Sequence, residues 1–113
     1  MNIEKRLIEY LNTQLSVPVY GDVPEVMPDT FITLEKTGSH RENLIETSTI
    51  AVQSWAKASR EDACDLNDLV KEAMDGAVSL TEVFRSACET DYNFTDTATK
   101  RYRYQAVYAV VHH

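Results

Sequence analysis

Two charged residues near the end of a strand-like segment are of the types that metal-dependent nucleases use for catalysis. Glu35 and Lys36 are adjacent in segment 31–37, and Asp29 precedes that segment. A metal-dependent nuclease needs a carboxylate and a lysine two residues apart, on one face of a strand. Because neighbouring strand residues point to opposite faces, Glu35 and Lys36 do not meet this requirement. The sequence favours a solvated charge pair over a nuclease site.

Histidines and serines give no stronger indication of catalysis. His40 lies in a polar segment, which is typical of a surface histidine. His112 and His113 are the last two residues, and they can bind a metal adventitiously or form a polar terminus. Ser54 and Ser86 lie inside strand-like segments without the GxSxG pattern of a nucleophile elbow. We therefore predict no catalytic residue and no functional metal site.

Glycine and cysteine patterns exclude further classes of site. The three glycines are too scattered to form a loop that cradles phosphate. Cys64 and Cys88 lack the spacing of a zinc site, and buried free thiols are expected in a chain of the cytosolic type. We expect a protein that is not an enzyme and holds no cofactor.

Length and charge limit the remaining possibilities. The chain has 113 residues, 43% of them hydrophobic, and we expect a single domain spanning 1–113. The formal net charge of −7 opposes ordinary binding to nucleic acid. No apolar run is long enough to span a membrane, and the N-terminal segment does not resemble a signal peptide, so the cytoplasm is the default location.

Periodicity in the first half predicts one helix followed by strands. Asn2 can cap a helix that continues to about Leu15 and carries an apolar stripe. Segment 17–20 can form a short edge strand, and a proline-rich loop follows it. Strands are predicted at 31–37 and 47–57. The polar segment between them, 38–46, is interpreted as a long exposed loop or a hairpin tip. The predicted inward residues of the helix are Ile3, Leu7, Ile8, Leu11 and Leu15.

The second half predicts another helix and two strands. Ser59 begins a helix for which Gly76 is the expected left-handed C-terminal residue. Strict alternation predicts strand 83–92, and segment 100–111 (KRYRYQAVYAVV) is an unusually long alternating strand. The predicted helix stripe is Ala63, Leu66, Leu69, Val70, Ala73 and Met74. On one face of strand 83–92 we expect Phe84, Ser86, Cys88, Thr90 and Tyr92.

The resulting order is α-β-β-β-α-β-β. It predicts an α+β fold with a mixed or mainly antiparallel sheet of about four to five strands and two helices on one face. The six tyrosines, together with Arg101 and Arg103, can form a stacking platform for single-stranded nucleic acid; Lys100, Arg101 and Arg103 also make a local basic cluster. Because Tyr102, Tyr104 and Tyr108 share a face with apolar residues, packing is the preferred interpretation, and a contact between subunits comes next, ahead of nucleic-acid stacking.

The layout resembles a family, the small tail-completion proteins of long-tailed bacteriophages, also called tail terminators or head–tail joining proteins. The likeness runs through the opening helix IEKRLIEYLNTQL and the segment VPVYGDVPEVMPDTFITLEKTG, then SWAKASREDA and the terminal RYRYQAVYAVV. It covers nearly the whole chain and rests on layout rather than on a specific motif. The resemblance implies a non-enzymatic structural protein that assembles as a ring, commonly a hexamer, on the end of the tail tube.

The resemblance also implies partners and a location. The ring would stop tube polymerisation, contact the tail tube protein and the head-connector protein, and let DNA pass through an acidic lumen. We would find it in the virion tail, and in the host cytoplasm during assembly. The alternative is a generic, dimeric α+β interaction module without catalytic activity. For either function the predicted interface residues are Arg41, Glu42, Asn43, Leu44 and Ile45 in one segment, with Val26 and Met27 in a second.

Overall fold

The computed structural model describes residues 2–98 and 101–113, and it confirms the predicted α+β order. Lys100, which begins the predicted last strand, lies outside the described residues. A 3-10 turn, Gly76–Ser79, follows the second helix. The elements are α1 (Ile3–Gln14), β1 (Val19–Tyr20), β2 (Thr30–Glu42), β3 (Ile45–Ala56), α2 (Arg60–Asp75), β4 (Val83–Asn93) and β5 (Tyr102–His112).

The five strands form one mixed sheet in the order β1-β2-β3-β5-β4. β1 runs parallel to β2, and the other three pairs are antiparallel. The long β5 therefore lies inside the sheet, hydrogen-bonded on both sides. Both helices pack on one face, where a single apolar cluster joins them to the sheet. Its sheet residues include Ile32, Leu34, Ile50, Val52, Ala106, Tyr108 and Val110.

Side-chain caps begin both helices, as the sequence predicts. Asn2 accepts a hydrogen bond from the backbone N–H of Lys5 at 3.1 Å, and Ser59 accepts one from Asp62 at 3.1 Å. Such caps satisfy N–H groups that have no partner inside a helix. In α1 the predicted Ile3, Leu7 and Leu11 are buried, together with Tyr10.

The predicted stripe of α2 is wrong at Leu69, which is 53% exposed. The buried arc of α2 is centred on Val70, and successive residues of a helix differ by about 100°, which places Leu69 outside that arc. Asn67 occupies a buried position instead, because its amide donates to Asp91 at 2.8 Å.

The prediction for Gly76 is also wrong, because its φ of −82° is right-handed. The chain continues into the 3-10 turn rather than ending in a left-handed residue. A Cβ atom at Gly76 would lie 2.8 Å from the hydroxyl oxygen of Tyr10. That hydroxyl donates to the carbonyl of Ala73 at 2.8 Å. A side chain at position 76 would therefore displace the Tyr10 hydroxyl.

The polar segment 38–46 is a hairpin rather than a long loop. β2 continues to Glu42, β3 begins at Ile45, and only Asn43 and Leu44 form the turn. Both turn residues have positive φ, 52° and 68°. These values are those of a two-residue type I′ turn, which matches the twist of the strands it joins. The hairpin-tip interpretation is confirmed, and the long-loop alternative is wrong.

The strict alternation predicted for β4 is wrong, because the register with β5 shifts between Val83 and Arg85 and again between Cys88 and Thr90. A bulge adds one residue and exchanges the two faces beyond it. Cys88 pairs with Tyr108 on the helix-covered face, whereas Tyr92 pairs with Gln105 on the opposite, open face.

Candidate interaction surfaces

The hairpin tip presents apolar side chains to solvent. Leu44 is 81% exposed and Ile45 is 40% exposed. Below the turn, Arg41 forms a 2.8 Å ion pair with Glu46, which holds the pKa of Glu46 below its usual range. Glu42 pairs with Ile45 across the strands. The hairpin therefore brings the predicted residues 41–45 together at one tip.

Leu44 is unusual because exposure and backbone conformation both disfavour leucine there. A residue with a Cβ atom in the left-handed region is destabilised by roughly 1–2 kcal/mol, and glycine avoids this. Ile45 begins β3, but its side chain remains half-exposed rather than packed inside. Leu44 therefore combines an unfavourable backbone conformation with a side chain that is not buried in the subunit.

The second predicted patch, Val26 and Met27, lies far from the tip. Val26 is 86% exposed and Met27 is half-buried. Arg101 donates to the carbonyls of Pro28 and Met27 at 2.7 and 3.4 Å, which fastens this loop beside the start of β5. The tip lies near the other end of β5, where Glu46 pairs with His112. Eleven residues of strand separate the two patches by roughly 33 Å, so they form two surfaces.

The face of the sheet opposite the helices contains an aromatic cluster that the sequence did not predict, and Phe31 and Trp55 are buried in it. Phe31 and Trp55 stack with ring centroids 5.2 Å apart. The guanidinium of Arg103 lies 4.6 Å from the Trp55 ring centroid and 4.3 Å from that of Phe94. Burial lowers the pKa of Arg103. Arg101 and Arg103 are therefore engaged within the fold, an arrangement that does not favour phosphate binding.

A polar row crosses the same open face. Trp55 Nε1 donates to Thr33 Oγ1 at 3.1 Å, and the Thr33 hydroxyl donates to Gln53 Oε1 at 3.2 Å. Gln53 then donates to Gln105 at 2.6 Å, and Gln105 donates to the Tyr92 hydroxyl. Strand pairing brings these side chains next to each other. Because the residues are far apart in the chain, the sequence pattern does not predict the row. The row links side chains of four strands through hydrogen bonds.

A serine and a histidine meet inside the sheet, beside a carboxylate. Ser48 Oγ lies 2.7 Å from His112 Nε2, and His112 Nδ1 lies 2.8 Å from the carbonyl oxygen of His113. Because a carbonyl only accepts, Nδ1 carries the proton and Nε2 accepts from Ser48. Glu46 Oε2 is 3.9 Å from Nε2. Ser48 and His112 are 0% and 1% exposed, so this pair has the geometry of a structural hydrogen bond rather than of a nucleophile open to substrate.

The sequence also leads to predictions about metal-binding side chains, cysteines and membrane spans. Within residues 2–98 and 101–113, no group of three or more His, Cys, Asp or Glu side chains can hold a metal ion. Cys64 and Cys88 are free, and Cys88 is exposed rather than buried as expected. No helix in these residues is long and apolar enough to cross a membrane.

Both long edges of the sheet are open. β4 pairs only with β5, and β1 covers β2 only at Ile32 and Thr33, as far as the described strands extend. The carboxylate of Glu4 accepts from the backbone N–H of Lys36 at 3.0 Å and so blocks one further position. Such edges can pair with another chain, and proteins that remain monomeric usually protect them.

Comparison with known proteins does not identify this chain. No protein-family model matches it, and no curated protein matches it.

Proposed function

We propose that this protein is a structural subunit of a phage or prophage tail, which caps the end of the tail tube as an oligomeric ring and joins the tail to the head. The observation that carries the proposal is the hairpin tip. Its exposed Leu44, at a φ of 68°, is unfavourable for an isolated subunit and suited to burial against a partner. The resemblance in layout supplies the identity of the assembly.

Charge is consistent with this function. The exposed side of α2 carries six carboxylates, and the whole chain has a formal net charge of −7. A ring with an acidic lumen would repel DNA phosphates, so that DNA could move through it without adhering. The proposed partners are further copies of the chain, the tail tube protein and the head-connector protein. The proposed locations are the virion tail and, during assembly, the host cytoplasm. The α2 carboxylates are Glu61, Asp62, Asp65, Asp68, Glu72 and Asp75.

The mass in solution tests the proposal. Size exclusion with light scattering, over a range of protein concentration, salt and magnesium, should detect a species of about six subunits of 12.8 kDa. Its fraction should rise with salt or magnesium, because counterions screen the repulsion between acidic subunits. A dimer that persists unchanged under all conditions would contradict the ring and favour a generic dimeric module.

A double variant tests the role of the tip. Leu44→Asp with Ile45→Asp should abolish the oligomer and leave the circular dichroism and melting temperature of the monomer nearly unchanged, because both side chains are exposed in the subunit. Leu69→Asp with Val78→Asp is a matched control, since it adds the same two charges at other exposed apolar positions. If the control abolishes the oligomer equally, the effect is one of charge and the tip has no specific role.

A further inference from the structure

The two open edges of the sheet have compatible directions. β2 and β5 run one way, whereas β3 and β4 run the opposite way. If a second copy is placed in the same orientation beside β4, its β2 is antiparallel to β4. Such an edge-to-edge contact uses two different surfaces, so it is heterologous and can close into a ring.

We infer that neighbouring copies join by antiparallel pairing of β4 with residues 38–42 of β2 in the next copy, beyond Lys36, whose N–H is held by Glu4, in the register that places Cys88 opposite Ser39. This inference rests on the proposed ring and specifies how its subunits are joined. The pairing would continue the five-stranded sheet from subunit to subunit.

Backbone direction supports this register. In β2, the N–H of Ile32 donates to Pro18 and that of Lys36 to Glu4, so the residues of the helix-covered face direct their backbone groups outward. Because pairing alternates regularly across β3 and β5, the residues of β4 on the same face also direct theirs outward. Cys88 and Ser39 both belong to this face, as their partners Tyr108 and Ser48 show. Each can therefore offer its N–H and C=O to the other.

The bulges support the same register. β2 shifts between Lys36 and Gly38, and β4 shifts between Cys88 and Thr90. With Cys88 opposite Ser39, these bulges lie opposite each other, and Asp91 falls opposite Lys36. The two strands then exchange faces at the same level, so the side chains remain matched on both sides of the bulges.

Side-chain chemistry is complementary in this register. Asp91 of one copy faces Lys36 of the next, and Arg85 faces Glu42, so two pairs of opposite charge meet across the joint. Asp91 already binds Lys71 and Asn67 in its own subunit. No like charges stand opposite each other between these two pairs. In this register Phe84 of one copy, which is 48% exposed, lies beside the turn of the next copy and its exposed Leu44. The pairing thus supplies the apolar contact that Leu44 lacks within the subunit.

Symmetric pairing of β2 with a second β2 fits less well. Opposite charges would meet if Ser39 were placed opposite Ser39, since Lys36 would then face Glu42. The bulge at Thr37 places Lys36 on the helix-covered face, however, whereas Glu42 lies on the open face. The pairing would therefore lose its match within a few residues of its centre.

Disulfide trapping tests the register. Hydrogen-bonded antiparallel partners have Cα atoms about 5.5 Å apart, which is suitable for a disulfide. Although Cys88 is exposed, partial desolvation raises the pKa of its thiol, so Ser39→Cys protein should be oxidised with copper phenanthroline at about pH 9, where more thiolate forms. We expect covalent ladders on non-reducing gels, and a tryptic peptide that joins position 39 to Cys88.

The same variant with Cys88→Ser is the control. Loss of the ladder supports the head-to-tail register. If dimers linked through two introduced thiols at position 39 persist as the main product, the symmetric arrangement is correct and the inference is overturned. If oligomers of about six subunits form and no link between position 39 and Cys88 appears, the inference fails while the ring stands. Monomers without cross-links, under all conditions that favour assembly, would overturn both.

A backbone variant gives an independent readout. Ser39→Pro removes an N–H that faces outward and is not part of the β2–β3 ladder, which is the position an edge strand tolerates for proline. Its dissociation constant for assembly should rise roughly 2- to 10-fold over that of Ser39→Ala, which keeps the N–H, because a hydrogen bond at the joint is lost. Equal assembly of the two variants, with unchanged monomer circular dichroism, would show that the Ser39 N–H is not used.

Discussion

At the scale of single residues, Leu44 links stability to assembly. Glycine at this position removes the steric penalty of the left-handed conformation, roughly 1–2 kcal/mol. Part of this stabilisation is offset, because glycine loses more conformational entropy on folding than leucine does. We expect Leu44→Gly to raise the free energy of unfolding of the monomer by about 0.5–1 kcal/mol, as measured by urea denaturation. The same change should weaken assembly, because it removes the exposed side chain. A variant that is less stable and assembles normally would show that Leu44 serves the subunit alone.

The turn itself shows why residue-level prediction was incomplete. Asn43 is a common first residue of a type I′ turn, but the usual glycine in second position is replaced by Leu44. Without an Asn-Gly signal, the polar residues around the turn were as consistent with a long loop as with a hairpin. The predicted interface residues 41–45 were nevertheless grouped correctly in space, because they are contiguous in the chain. The separation of Val26 and Met27 from them depends on the tertiary fold.

At the scale of elements, the contact between α1 and α2 depends on Gly76. The Tyr10 hydroxyl lies where a side chain at position 76 would begin. We expect Gly76→Ala to destabilise the protein by about 1–2 kcal/mol, because the hydroxyl must move and its hydrogen bond to Ala73 weakens. In a Tyr10→Phe background the same change should be neutral or stabilising by up to about 1 kcal/mol, since alanine is preferred in helical backbone.

A double-mutant cycle measured by chemical denaturation checks this coupling. The four proteins are the parent, the two single variants and the double variant, and the interaction free energy is the departure from additivity. The sign is the decisive quantity, because the two substitutions should compensate each other. Additive effects would mean that the hydroxyl has room to move and that Gly76 is not required by packing.

Elements whose signals are local were predicted from sequence, and those that depend on strand pairing were not. Three features depend only on residues close together in the chain, and the structure has all three: the helix caps at Asn2 and Ser59 and the alternation of β5. The bulges of β4 arise from its pairing with β5, so alternation alone placed Tyr92 on the wrong face. Leu69 was misplaced for a related reason, since the buried arc of α2 turns toward Asn67 to reach Asp91.

At the scale of the whole molecule, basic and acidic residues have different roles. Arg101 and Arg103 hold the loop before β2 and the aromatic cluster, and so serve the fold. Acidic residues remain on the surface, with six on the exposed side of α2. The net charge of −7 therefore acts at the surface with little local compensation from β5. Arg101 and Arg103, which had suggested a nucleic-acid platform, serve packing instead.

This charge distribution makes a prediction about DNA. Duplex and single-stranded DNA should bind with a dissociation constant above about 10⁻⁴ M even at low salt, because phosphate contacts require free cations. This value is the weak end of the range for non-specific binding. Fluorescence anisotropy with labelled oligonucleotides measures this directly. A variant with Asp62→Lys, Asp65→Lys and Asp68→Lys should gain salt-dependent affinity, since it converts three exposed carboxylates to cations. If the parent protein itself binds at about 10⁻⁶ M with a steep salt dependence, a lumen that lets DNA slide past is incompatible with its surface.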